Sequence, residues 1–417
     1  MNGWRKGTPE NMYWPGILIG GDTKLKLGKF VSAIAVVVLL LTISCAGSPE
    51  TPYAPAPTAA PIPPTSAPDE IVPEPATHSP ARVEILSTST YTHREGLLHG
   101  TTEYIGDFMH IVGEIKNVGE ENVKIKKITR MFYDKGGSAI VTPSYWLCPL
   151  SMLAPGQSLP FFVILLDEDA SKEMVDYEFT LDCEVTDEEP LLDLKLLSSA
   201  SYMEPMTAYD LYWIVGEYKN TGSRNIKNVW PFATYYDAEG TVIGYNYADR
   251  PMITVLPGQK VPFAVSSQEN RIILELPGDL VQRIASYELG FTYEMTDETP
   301  YREFEILSHS SQLTQEKIPI INEIQPVFEV LAEVKNVGGS KAQIIAVIVT
   351  FYDADGVVVD ACWGHGRRYA GNRIGGNLKI DDLGPGETGQ FRAKIEGDRA
   401  LKVADYSLYI TCYKISD

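Results

Sequence analysis

The chain has 417 residues, of which 44% are hydrophobic and 22% are charged, and its formal net charge is −20. This length exceeds a single hydrophobic core, and the composition is that of a folded protein, which excludes a chain that is disordered throughout. The acidic balance repels phosphate backbones and anionic head groups, so nucleic acid is excluded as the expected partner.

The N-terminal region has the pattern of an export signal. Three lysines precede an apolar run of 14 residues, FVSAIAVVVLLLTI, which is too short to span a bilayer and is typical of the core of a signal peptide. The run leads into LTISC, which ends at Cys45 and resembles a bacterial lipobox. That resemblance implies diacylglycerol transfer to the Cys45 thiol and cleavage before it. We therefore expect a lipoprotein signal peptide at 1–44 and an anchor on the extracytoplasmic side of the cell membrane; a short uncleaved anchor or a plain secretory signal is the alternative.

Residues 45–81 are predicted to be a tether. The stretch 48–80 holds 11 prolines in 33 residues, among Ala, Thr, Ser and Glu. Such a segment lacks the apolar side chains needed for a core and favours extended polyproline II. At about 3.1 Å per residue it could reach roughly 100 Å.

The remaining chain repeats itself three times. The pattern Glu-x-Lys-Asn-x-Gly occurs with its asparagine at Asn117, Asn220 and Asn336. In each copy a Tyr-Asp pair follows, with its aspartate 17 residues after the asparagine, and a Pro-Gly pair and a phenylalanine come later. Self-similarity at a fixed period is stronger evidence for a fold than local propensity. The sequence therefore predicts three units at 82–188, 191–298 and 303–417, with short joints that imply a semi-rigid rod.

Each unit is predicted to be a β-sandwich. Apolar residues alternate with Glu114 and Lys116 before the first asparagine, which predicts a strand with one face in the core and one in water. The small residues Gly113, Gly216 and Ala332 predict close approach of a bulky group from a facing sheet. Asn-x-Gly and Asp-Gly are interpreted as turns that need positive φ, and Pro-Gly as a type II turn. The fold class is thus all-β, three tandem antiparallel sandwiches, with one short helix within 269–284.

These motifs together resemble a known family. The order N-x-G, then YD, then PG(Q/E) is similar to the FxLYD domain of secreted bacterial and archaeal proteins. The resemblance covers nearly everything after residue 82, and it implies an immunoglobulin-like sandwich without an assigned activity. At the namesake motif only the final Tyr-Asp matches.

Four cysteines follow Cys45. Cys183 and Cys412 share one inward position of the last strand, and Cys148 and Cys362 both follow the Tyr-Asp turn. The second unit has neither. Two cysteines that occur together in a repeat, and are missing together from another, behave as a bonded pair. The sequence therefore predicts disulfides joining Cys148 to Cys183 and Cys362 to Cys412. Four buried thiols are the alternative.

An insertion in the third unit is the candidate binding loop. It is rich in glycine, aromatic and basic residues in an otherwise acidic chain, and loops on a rigid sandwich often carry recognition. The hypothesis is contact with an anionic or glycan-like partner through Trp363, His365, Arg367, Arg368, Tyr369 and Arg373. A long solvated hairpin is the alternative.

No catalytic or metal motif is predicted. FYDADG at 351–356 faintly resembles a calcium loop, but it lacks the further oxygens of such a loop and is interpreted as a β-turn. His93, His99 and His110 have no metal spacing and are expected to be surface or packing residues. No cofactor is expected, and no nucleophile with a matching base is found.

Two functions remain open from the sequence. The first is a non-catalytic, lipid-anchored binding, adhesion or envelope scaffold with an unknown protein or glycan partner. The second is a small-ligand or calcium-binding lipoprotein associated with a transporter or sensor.

Overall fold

The computed structural model describes residues 18–19, 81–96, 105–142, 144–205, 210–249, 254–267, 276–318, 323–363 and 382–416. The described chain consists of antiparallel strands with three short helices, which confirms the all-β prediction. Contacts divide the chain into one unit of residues 1–21 and 80–417 and another of residues 22–79. All three repeats belong to the first unit.

The first repeat forms two sheets around one core. Its elements are β2 (Val83–Gly96), β3 (Ile105–Asn117), β4 (Val123–Asp134), β5 (Ala139–Ile140), β6 (Ser144–Cys148), β7 (Met152–Leu153), β8 (Ser158–Leu165), α1 (Glu168–Glu173) and β9 (Met174–Val185). One sheet has the order β6-β8-β3-β2, with β1 (Leu18–Ile19) beside β6. In the other, β4 pairs with β5, β7 and β9.

The second repeat has one continuous set of paired strands. Its elements are β10 (Leu194–Pro205), β11 (Asp210–Asn220), β12 (Asn225–Tyr236), β13 (Val242–Asp249), β14 (Lys260–Ser266), α2 (Gly278–Val281) and β15 (Ser286–Thr296). The strand order is β10-β11-β14-β13-β12-β15. Because β13 bonds to both β14 and β12, it links the two layers along one edge.

The third repeat returns to two separate sheets. Its elements are β16 (Phe304–Ile318), β17 (Glu323–Asn336), β18 (Lys341–Tyr352), β19 (Val358–Trp363), β20 (Asp382–Leu383), β21 (Thr388–Glu396), a 3-10 helix (Gly397–Lys402) and β22 (Asp405–Ser416). One sheet has the order β16-β17-β21, and in the other β18 pairs with β19, β20 and β22.

The sequence pattern explains where strands begin and bend. Apart from β1, each described sheet takes its strands from one repeat. The first strand of every repeat carries a β-bulge in the EILS or KLLS segment, at Ile85/Ser87, Leu196/Ser198 and Ile306/Ser308. The leucine in each bulge is the extra residue and stays exposed, which accounts for this segment recurring.

The turn predictions are partly confirmed. The glycines of the Pro-Gly pairs and of the Tyr-Asp turns have positive φ, as expected. The Asn-x-Gly prediction is wrong: among the described residues the only non-glycine with positive φ is Asn228, and Gly119, Gly222 and Gly338 do not have it. The asparagine of this pattern instead forms side-chain hydrogen bonds to distant backbone carbonyls.

The helix predicted within 269–284 is present as α2, and residues 268–275 lie outside the described chain. Helix α1 was not predicted. It begins after Asp167, whose side chain caps the Ala170 N–H, and acidic residues occupy its first turn. All three helices stand directly before the last strand of their repeat.

Candidate functional site: the joints between repeats

Most of the predicted binding loop lies outside the described residues. Trp363 ends β19, where its backbone pairs with Ile348. The positions of Cys45, His365, Arg367, Arg368, Tyr369 and Arg373 are not described. The hypotheses of lipidation and of loop recognition therefore stay predictions.

Neither predicted disulfide, Cys148 to Cys183 or Cys362 to Cys412, is present among the described residues. In the third repeat, Cys362 lies opposite Val349 and Cys412 opposite Ile345, on the two strands that flank β18. This register separates their Cα atoms by roughly 16 Å, whereas a disulfide needs less than about 7 Å. The bridge predicted between Cys362 and Cys412 is wrong.

The error came from treating Cys148 and Cys362 as equivalent. Cys148 lies on β6, which pairs with β8, whereas Cys362 lies on β19, which pairs with β18. Cys148 and Cys183 pack into the same core. Burial, with a smaller contribution from Cys183, raises the pKa of the Cys148 thiol to about 12. A bridge within this pair stays a prediction.

A fully buried asparagine joins the two sheets of each repeat. The Asn117 Nδ2 donates to the carbonyl oxygens of Glu121 (2.8 Å) and Leu153 (3.1 Å), and its Oδ1 accepts from the Gly119 N–H (2.9 Å). Asn220 and Asn336 make the same three bonds. Because Asn117 ends β3 and Leu153 belongs to β7, the side chain ties one sheet to the other.

The glutamate of the pattern is buried, which contradicts the prediction that its face meets water. Glu114 is 6% exposed and Glu217 is 5% exposed, while the equivalent Glu333 is only half buried. The first two are covered by the following repeat. Sequence analysis missed this because a single alternating strand does not reveal what covers its outer face.

The joint between the first two repeats is aromatic and hydrogen-bonded. Phe232, Tyr236, Val242, Tyr245 and Tyr247 of the second repeat belong to the same hydrophobic cluster as the first repeat's core. In addition, the Ser89 hydroxyl donates to the Val242 carbonyl (2.6 Å), and the Val242 N–H donates to the Ser87 hydroxyl (3.3 Å).

At the centre of this joint, the Tyr236 hydroxyl donates to Glu114 Oε1 at 2.5 Å. Burial raises the pKa of the Glu114 carboxyl above its ordinary value, although the Tyr236 hydrogen bond opposes this. Burial and the adjacent Glu114 also raise the pKa of Tyr236, so that its hydroxyl stays a donor at physiological pH.

The second joint repeats the arrangement. The Tyr352 hydroxyl donates to Glu217 Oε1 (2.7 Å), and Lys260 Nζ lies 3.3 Å from Glu217 Oε2. Ile348, Val358 and Ala361 of the third repeat join the second repeat's core cluster. In both joints, therefore, the tyrosine of a Tyr-Asp pair binds the glutamate of the preceding repeat's Glu-x-Lys-Asn-x-Gly pattern.

A largely buried cluster of charged side chains spans the second joint. Arg399 Nη1 donates to Asp360 Oδ2 (2.6 Å), its Nη2 lies 3.3 Å from Glu204 Oε1, and its guanidinium stacks over the Tyr202 ring at 4.2 Å. Burial raises the pKa of Asp360 to about 6, although Arg399 opposes this. Asp360 and Arg399 belong to the third repeat and their other partners to the second.

This carboxyl predicts a pH-dependent stability. Its pKa of about 6 in the folded chain exceeds its ordinary value of 3.8, so the stabilising contribution is complete below about pH 4 and is lost as pH rises through 6. Between pH 4 and 7, ionisation of Asp360 is expected to lower the free energy of unfolding by up to about 3 kcal/mol, and Asp360→Asn should abolish this pH dependence. Urea unfolding at several pH values, with the exposed Asp355→Asn as control, checks this. Parallel pH profiles for wild type and Asp360→Asn would contradict it.

The remaining polar candidates have structural partners. Asp353 Oδ1 accepts from the Asp355 and Val357 N–H groups (3.0 and 2.9 Å), which is a turn. His110 is buried between the rings of Tyr91 and Phe162. Within the described ranges, no group of three or more His, Cys, Asp and Glu side chains is placed to hold a metal ion.

The described helices have at most six residues each, and none of them could cross a bilayer. No protein-family model matches the chain, and no curated protein matches it. Among solved structures, a beta-glucuronidase from glycoside hydrolase family 2 is similar over 70% of this chain and 30% of that chain, at 9% identity and a TM-score of 0.14. The chain thus spans less than a third of that enzyme, and a likeness this low supports no statement about fold or activity.

Proposed function

We propose that the chain is a lipid-anchored, extracytoplasmic protein whose three β-sandwich units act as one stiff, non-catalytic binding or scaffold body. The observation that carries this proposal is the paired Tyr-Glu joint. A flexible string of modules would keep polar surfaces between its members, whereas here aromatic side chains and a carboxylate are buried at the junctions. The coupled units would therefore move as one body.

The finer parts of the proposal follow from the sequence. We propose that the units are immunoglobulin-like and related to the FxLYD domain, that Cys45 carries the lipid, and that the insertion from Trp363 onward contacts a protein or glycan. Two antiparallel sheets around a shared core in the first and third repeats support the sandwich description.

Metabolic labelling with an alkyne fatty acid in a bacterial host tests the anchor. We expect label on the wild-type chain in the membrane fraction, and an unlabelled, released chain for Cys45→Ser. Ser44→Ala is the control, because it leaves the acceptor thiol in place. Label on Cys45→Ser, or an unlabelled wild type, would remove the anchor from the proposal.

The stiffness of the joint has its own prediction. Tyr236→Phe leaves the buried Glu114 carboxylate without its donor, and we expect a loss of about 1–3 kcal/mol in the free energy of unfolding. Hydrogen exchange of peptides from β3 and β12 should rise together. The control is Tyr133→Phe, which changes the equivalent tyrosine of the first repeat. Its hydroxyl makes only a 3.4 Å contact with exposed Glu178, so this substitution is expected to lower the free energy of unfolding by less than about 0.5 kcal/mol. Equal effects of the two substitutions would contradict a special role for the joint.

A further inference from the structure

The strand face that carries each joint in the first two repeats is also present in the third repeat, on β17 and β21. Pairing of Gly113 with Phe161, Gly216 with Phe263 and Ala332 with Phe391 aligns the three repeats residue by residue. Outward positions on β3, β11 and β17 can therefore be compared directly.

The comparison shows a change from apolar to charged residues. At one pair of facing positions the first two repeats have Val112 with Phe162 and Val215 with Ala264, whereas the third has Leu331 with Arg392. At the next pair the buried residues His110 and Trp213 are replaced by Glu329. Of these aligned positions, only Leu331, which is 40% exposed, is apolar in the third repeat.

The charged residues of the third face pair with one another. Glu329, which is 3% exposed, forms an ion pair with Arg392 and accepts from Gln312 Nε2 at 2.8 Å. Glu316 lies 3.2 Å from Arg392 and 3.3 Å from Lys394. Both carboxylates therefore have a cationic partner within the third repeat.

The opposite end of the chain shows the same change. On the outer face of β12, Trp230 and Phe232 pack toward the first repeat. When the two repeats are aligned by their strand pairing, Lys127 of the first repeat corresponds to Trp230 and Thr129 to Phe232. Cross-strand ion pairs of Lys124 with Glu188 and of Lys126 with Glu184 lie on the same sheet. The face is thus polar at these positions, although Met131 on the same strand is 42% exposed.

We propose that these two faces are capping surfaces, which keep copies of the chain from assembling head to tail through its joint surfaces. Repeat arrays need polar terminal units because an uncovered inner face exposes apolar surface. Head-to-tail contacts that do not close build filaments, so blocking both ends prevents open-ended growth. This inference does not depend on the lipid anchor.

Sedimentation velocity of the full chain carrying Cys45→Ser, which keeps β1 beside β6, tests the proposal. We expect the wild-type body to stay monomeric as its concentration rises about a hundredfold. Glu329→Leu with Arg392→Leu keeps the net charge but makes the third face apolar beside Leu331, and its weight-average mass should rise toward twice that of the monomer.

The control is Lys341→Leu with Asp382→Leu, which removes a half-exposed ion pair of the same repeat that lies on the other sheet. It should stay monomeric. A folded Glu329→Leu, Arg392→Leu variant that remains monomeric would overturn the proposal. A second result would also overturn it: the wild-type chain forms an oligomer, Leu331→Glu dissociates that oligomer, and Ile324→Glu leaves it intact. This second result does not depend on whether the double variant folds.

Discussion

Replacing Asn117 by alanine is expected to lower the free energy of unfolding of the first repeat by about 3 kcal/mol. The substitution removes three hydrogen bonds and leaves the carbonyls of Glu121 and Leu153 and the N–H of Gly119 without their partner. Each bond contributes about 1 kcal/mol, and leaving a buried group unsatisfied costs more. Urea-dependent hydrogen exchange of first-repeat peptides measures the effect in that repeat alone, which matters because a chain of several units need not unfold in one step.

Two further substitutions define the cause. Asn122→Ala removes only an exposed bond to the Glu188 carbonyl (3.1 Å) and should cost less than about 0.5 kcal/mol. Asn117→Asp keeps the acceptor for Gly119 but turns a carboxylate oxygen toward two carbonyls, and should cost at least as much as alanine. If Asn117→Ala were no worse than Asn122→Ala, the asparagine would not be what ties the two sheets together.

Local pattern alone predicted the strands and two of the three turn types. Alternation and Pro-Gly or Asp-Gly pairs act over a few residues, so their meaning does not depend on the rest of the chain. The Asn-x-Gly pattern failed as a turn prediction because the partner of Asn117 at Leu153 lies 36 residues away. The same Asn-x-Gly pattern can form a positive-φ turn, or it can place a buried asparagine amide that bridges two sheets.

The joints could have been suspected from the outer faces of the strands. Phe162 and Trp213 stand at positions that a solvated face would give to polar residues. At these positions the third repeat has the ion-paired Arg392 and Glu329. This contrast between repeats is visible in the sequence once the repeats are aligned. What could not be seen is that Tyr236 reaches Glu114 across a repeat boundary, because this contact depends on how two sheets meet.

The small residue before each Glu-x-Lys-Asn-x-Gly pattern was predicted to face a bulky group from the opposite sheet. The bulky group is instead the repeated phenylalanine on the neighbouring strand of the same sheet. Gly113 pairs directly with Phe161, and Gly216 with Phe263. The ring lies across the glycine, which explains why the two residues recur together.

Gly216→Ala is expected to destabilise the second repeat by about 3 kcal/mol, near the upper end for overpacking. The added methyl group would lie 2.5 Å from the Ser198 carbonyl oxygen and 2.6 Å from the Phe263 ring. The ring cannot retreat, because Phe263 is fully buried and packs against Tyr218 and Phe291. The carbonyl belongs to backbone beside the β-bulge of β10, so moving it would disturb strand pairing.

The third repeat supplies the matched comparison, because Ala332 already occupies this position opposite Phe391. Ala332→Gly should cost only about 0.5–1 kcal/mol, the usual penalty for glycine inside a regular element. Urea unfolding with hydrogen exchange resolved by repeat gives both values in one experiment. A small effect of Gly216→Ala would mean that β10 shifts away from β11 at the bulge, and protection of β10 amides would then fall while that of β14 stayed unchanged. If amides of both β10 and β14 lose protection from hydrogen exchange, the added methyl group strains the Phe263 ring as well as the Ser198 carbonyl. The distances at Gly216 predict this outcome.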